Sequence, residues 1–191
     1  MNQPMQRLPT YQDLFDLPDH IIGEILNGQL ITQPRPLPRH ARSTSIIGGE
    51  LMAPYDQGRG GPGGWWILDE PELHLGPDIL VPDLAGWRRE RMPYLPEEAY
   101  FSMAPDWIAE VLSPSTARID RAVKMPIYAR NRVQWLWLID PDPQTLEVYR
   151  LFEKSWLLEH VWQNDDLVKA PPFDAISMNL SDFWTPKAPR E

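Results

Sequence analysis

The sequence predicts an α/β protein, and three observations carry that reading. Residues 106–112 form a short, mostly apolar run (Asp106 to Leu112, DWIAEVL). A Ser-Pro-Ser-Thr turn closes it at 113–116, and a helical segment follows. Val133 to Ile139 (VQWLWLI) is a second apolar run of strand length, beyond that helix. Asn27-Gly28 lies between two apolar runs and is a strong signal for a tight hairpin, because both residues tolerate positive φ. Strands separated by a helical connection indicate sheet packed against helix. The chain has 191 residues and no repeats, and reads as one domain over 1–191, with its core at about 10–185.

Taken in order, Thr10 to Leu17 is a short helix capped by Thr10 and Asp13. The hairpin around Asn27-Gly28 comes next, and PRPLP at 34–38 is a rigid extended connection. From about Arg39 to Tyr55, the spacing of Ile46, Ile47 and Leu51 predicts an amphipathic helix, weakened by Gly48-Gly49. GRGGPGG at 58–64 is a flexible loop; no Gly-Lys-Ser/Thr follows, so it is not a phosphate cradle. Trp65 to Leu75 and Asp78 to Trp87 are strands interrupted by turns, and 88–100 is a loop. Beyond Ile139, Thr145–Phe152 and Ser155–Val161 begin a C-terminal meander.

The chemistry concentrates between Pro105 and Tyr128. Glu110 is a carboxylate on a strand that reads as buried, where an unpaired charge is costly. Asp120, Lys124 and Tyr128 follow at four-residue spacing and share one helix face. A strand carboxylate and a lysine on the next helix can converge on one point. Three Pro-Asp pairs, at Asp78, Asp83 and Asp106, supply further acids; Asp83 ranks first because apolar residues flank it on both sides. The plainer alternatives are that Glu110 and Lys124 form an ion pair and that each Pro-Asp is turn chemistry. Ser113 and Ser115 read as turn and cap residues and His40 and His74 as structural; Glu24 can approach the site from the hairpin, though a solvated strand residue is the commoner case. The tryptophans are core, with base stacking considered for Trp87.

There is no cysteine, no signal-like apolar core in MNQPMQRLPTYQDLF and no apolar run of membrane length, so the expectation is a soluble, cytoplasmic protein. A net charge of −9 argues against a non-specific coat on nucleic acid. Locally, however, residues 118–132 hold Arg118, Arg121, Lys124, Arg130 and Arg132 against Asp120 alone. Such a basic segment can coexist with an acidic whole.

Pro82-Asp83, Glu110 within Ala-Glu-Val-Leu-Ser-Pro-Ser-Thr, then Asp120, Lys124 and Tyr128, then Trp137-Leu-Ile-Asp-Pro resemble the Uma-two family of restriction-endonuclease-like proteins, in the PD-(D/E)XK nuclease superfamily. The likeness spans about 10–185 and is specific in 105–141. It implies a restriction-endonuclease-like mixed central β-sheet flanked by helices, and divalent-metal hydrolysis of DNA phosphodiesters. Asp83 and Glu110 then stand for the motif's acids and would hold Mg²⁺, with Mn²⁺ as a substitute. The motif's lysine position, two residues after Glu110, is Leu112 here, and Lys124 from the next helix fits a migrated lysine. Pro126 should make that helix kink or restart just after Lys124. Arg118, Arg121 and Arg130 would hold flanking phosphates, and a homodimer would bring two sites to a duplex. The alternative is a catalytically inactive module of the same fold that binds nucleic acid or a protein partner.

Overall fold

A computed structural model describes residues 7–185. Helix α1 (Tyr11–Phe15) opens on Thr10, whose backbone N–H donates to Asp13 Oδ2 at 2.6 Å, the capping interaction expected from the sequence. Strands β1 (Ile21–Leu26) and β2 (Gln29–Pro34) form the hairpin, with Asn27 and Gly28 at φ 51° and 75°. Helix α2 (Pro38–Leu51) starts with proline in its first turn and runs into a wider π turn over Met52–Asp56. Gly48 strengthens rather than weakens its packing. A Cβ there would stand 3.1 Å from Asp69 Oδ1 and 3.4 Å from Leu84 Cδ2, so glycine lets α2 settle close to the sheet.

The strands that follow divide between two sheets. β3 (Trp65–Asp69) and β6 (Leu84–Arg88) join a six-stranded sheet, while β4 (Leu73–Leu75) and β5 (Asp78–Leu80) join the hairpin in a four-stranded one, ordered β2-β1-β5-β4. The larger sheet continues through β7 (Trp107–Val111), β8 (Trp135–Asp140), β9 (Thr145–Phe152) and β10 (Ser155–Gln163), in the order β10-β9-β8-β7-β6-β3. Only β7 and β8 pair in parallel in this sheet; its other pairings are antiparallel, so the sheet is mixed. A parallel pair needs a crossover. Here it consists of α3 (Ala117–Ile119), a π turn over Asp120–Lys124 and α4 (Met125–Arg130). The helix restarts at Met125, with Pro126 in the first turn of α4, as proline demands. A two-stranded pair, β11 (Leu167–Val168) and β12 (Met178–Asn179), and a 3₁₀ turn at Leu180–Phe183 end the described chain.

Strand alternation sorts the core into two layers. Trp107, Ala109, Val111, Trp137 and Ile139 face α2 and the C-terminal segment, where Phe173 meets Trp65, Trp107 and Trp137 edge-on. Ile108, Leu112, Leu136 and Leu138 face the crossover and pack with Ile127 and Tyr128. Glu110 has the parity of Ile108 and Leu112, so the sheet delivers its carboxylate beneath the crossover. Trp87 lies in the same layer, fully buried, its indole N–H bonded to the Met103 carbonyl at 2.9 Å. Base stacking by Trp87 is therefore ruled out: the ring is core.

Candidate active site

Because the crossover lies over β7, the Asp120–Lys124 turn sits directly above Glu110. Lys124 Nζ stands 3.3 Å from Glu110 Oε1 and 3.6 Å from Asp120 Oδ1, and Tyr128 donates its hydroxyl to Glu110 Oε1 at 2.5 Å. The stripe at 120, 124 and 128 thus reaches one point. A third carboxylate is closer still: Glu24 Oε1 lies 3.0 Å from Lys124 Nζ and also accepts the Val81 N–H at 2.8 Å. Glu24 is 1% exposed, so of its two readings the structure keeps the approach to the site from the hairpin and overturns the solvated strand residue. Pairing of β1 with β5 turns its side chain inward, and nothing within its own hairpin signals this. Its Oε2 is buried without a hydrogen-bond partner among the described residues.

Three carboxylates around one ammonium leave the cluster short of positive charge. Burial pulls the Lys124 amine down, yet Glu110, Glu24, Asp120 and Asp83 outweigh it and hold the amine well above its ordinary value, so it stays charged. Burial drives the Glu110 carboxyl well above the carboxylate range against the pull of Lys124, and it raises Asp120 for the same reason. Tyr128 is pushed well up by burial and by Glu110, which keeps its hydroxyl a donor.

Asp83 stands beside this cluster at the bend before β6. Its Oδ2 accepts the Val111 backbone N–H at 2.6 Å, which ties it to the residue after Glu110. His40, in the first turn of α2, places Nε2 3.3 Å from the same oxygen. Burial lowers the His40 imidazole, but Asp83 and the Val111 backbone more than offset this and leave it raised; its Nδ1 is buried with no hydrogen-bond partner among the described residues. Asp83, Glu110, Asp120, Lys124 and His40 all line one cavity of about 390 Å³, which the Ser113–Thr116 turn also lines. Ser113 Oγ accepts the Thr116 N–H at 3.3 Å, the turn role that the sequence predicted for it.

The other candidates lie elsewhere. Asp78 accepts from Asn27 N at 2.7 Å and pairs with Arg130, locking the β1–β2 turn to α4. Asp106, at the opposite end of β7, pairs with Arg91 at 2.7 Å and accepts the Arg88 N–H. Of the three Pro-Asp acids only Asp83 lines the cavity. Arg121 makes a two-pronged pair with Glu147 at 2.8 and 2.7 Å, and Arg118 is exposed; none of Arg118, Arg121 and Arg130 lines the cavity. His74 pairs with Glu72 at 2.7 Å and stacks on Tyr100, a structural role.

The donor chemistry suits a hard divalent cation. The cavity supplies carboxylate oxygens and no thiolate, the cluster has excess negative charge, and both side-chain hydrogen bonds of Glu110 fall on Oε1. Among the described residues no three His, Cys, Asp or Glu side chains form a complete metal cage.

The architecture places the chain in a known class of fold. A crystal structure described as "a putative nuclease belonging to DUF820 from Anabaena variabilis ATCC 29413" is similar to it at a TM-score of 0.73 and 26% identity, over 92% of this chain and 97% of the other. The chain belongs to the Uma2 family, described as "Putative restriction endonuclease", whose model matches residues 8–181. Comparison with curated proteins gives no match. No helix among the described residues is long and apolar enough to cross a membrane.

Proposed function

We propose that the protein is a Mg²⁺-dependent endonuclease that hydrolyses DNA phosphodiester bonds at this cavity. One observation carries the reading: a charged lysine, held by three buried carboxylates, stands at a cavity that Asp83 also lines. Family membership and the similarity to a protein described as a nuclease support it.

Asp83 and Glu110 would hold the divalent ion, which supplies charge to polarise the scissile phosphate and to acidify a bound water. Lys124 directs its ammonium at the phosphate oxygens, where negative charge grows in the transition state. Glu24 and Asp120 hold the lysine ammonium still, so little reorganisation accompanies the reaction. Tyr128 fixes the Glu110 carboxylate through its hydroxyl, and His40 fixes Asp83. Leu112 fills the apolar layer where the superfamily motif has its lysine; Lys124 supplies that charge from above the strand.

The test is nicking of supercoiled plasmid by purified protein in Mg²⁺ or Mn²⁺. Cleavage is expected, with a loss of about 10²-fold or more on Lys124→Met or Asp83→Asn. Retention of DNA without cleavage under either ion would instead support the inactive binding module.

A further inference from the structure

The cavity has an ordered charge pattern. Its more buried lining is acidic, with Asp83, Glu110 and Asp120 around Lys124, while its exposed lining carries two arginines, Arg35 and Arg39, beside two acids, Glu70 and Asp142. Arg35 sits between Pro34 and Pro36 at the end of β2, a backbone with little freedom to lose on binding. Its guanidinium rests on the Asp19 carbonyl at 3.3 and 3.0 Å, a neutral acceptor, and pairs with no carboxylate among the described residues. Arg39, one residue before His40, pairs at 2.8 Å with Asp142 on the surface, both side chains about half exposed. An exposed pair of this kind is weak and exchanges readily for a better anion. Arg121 and Arg130 are about as exposed as Arg39 but lie outside the cavity, and Arg130 pairs with a carboxylate that is 0% exposed.

We propose that Arg35 and Arg39 form the phosphate-binding lip of the cavity, gripping nucleic-acid backbone phosphates that flank the one beside its buried acids. This rests on the nuclease reading of the same cavity. A guanidinium fork suits phosphate oxygens, and contacts of this kind set register without reading sequence. The buried acids repel every phosphate except one neutralised there by a cation, so the exposed guanidinium pair is what brings the strand to them.

The test is fluorescence anisotropy of the full-length chain with a short labelled DNA duplex in Ca²⁺, across a salt series. Each phosphate contact contributes about 0.9 to the slope of log K against log salt. The Arg35→Ala/Arg39→Ala double variant should therefore lose about 1.8 in slope and bind at least about tenfold more weakly at low salt. The Arg35→Lys/Arg39→Lys variant should keep most of the slope, and Arg121→Ala should leave it unchanged. Matching circular dichroism checks that each variant is folded. An unchanged slope in the double alanine variant, with wild-type binding intact, overturns the lip and leaves the nuclease reading standing. Absence of binding by every form, wild type included, overturns both.

Discussion

Lys124 is the residue on which the cavity's electrostatics turn, and Glu24 is its nearest partner. Glu24→Ala removes one of three acids but leaves the ammonium two others, so the cost to stability should be about 1–3 kcal/mol, below that of a fully orphaned buried charge. Urea unfolding measures it, and a change within error would mean that Glu24 does not hold the lysine. The pH response follows from Glu110 and Asp120, whose burial raises both carboxyls above their ordinary values. The folded site then binds protons more tightly than the unfolded chain. Its contribution is complete below the unfolded carboxylate range and is lost as pH rises through the folded values. In metal-free buffer the Tm should accordingly fall as pH rises above the ordinary carboxylate range, and Glu110→Gln should flatten that fall. A variant with the wild-type slope would show that Glu110 does not carry the proton.

At the scale of elements, the crossover between β7 and β8 decides what the site contains. It brings the Asp120–Lys124 turn over Glu110, and α4 is then pinned at its far end by Arg130, which reaches Asn27 Oδ1 at 2.9 Å and Asp78. Arg130→Ala strips the guanidinium from a fully buried carboxylate that keeps the Asn27 N–H, and should destabilise the fold by about 3 kcal/mol or more. Its effect on the salt dependence of DNA binding should be nil; a drop of about 0.9 in that slope would return Arg130 to the role the sequence suggested for it. The helical restart at Met125 was legible beforehand, because proline's missing N–H and fixed φ act within one turn. The division of β3–β6 between two sheets was not legible. Apolar alternation marks a strand's faces but says nothing about its neighbours.

For the whole molecule, a net charge of −9 coexists with two exposed arginines on the cavity, and under the proposed function this would favour local capture over general affinity for nucleic acid. We propose a homodimer as the cutting species, since a duplex has two strands and each chain offers one such cavity. Sedimentation equilibrium should find a dimer, and linearisation of plasmid should fall more steeply than nicking on dilution. Equal dependence of both on concentration would count against two cooperating sites.

What the sequence determined by itself was local: the Asn27-Gly28 turn, the capped α1, the buried parity of Glu110, the shared face of Asp120, Lys124 and Tyr128. Each depends on residues within two or three turns, where backbone sterics and side-chain periodicity suffice. The tertiary structure alone decided that Glu24 is buried against Lys124, that His40 meets Asp83, and which partners the arginines take. Val81 and Glu24 are 57 residues apart, and Arg130 and Asn27 are 103 apart. Contacts at such range are set by strand order and by the path of the crossover, which no local pattern encodes.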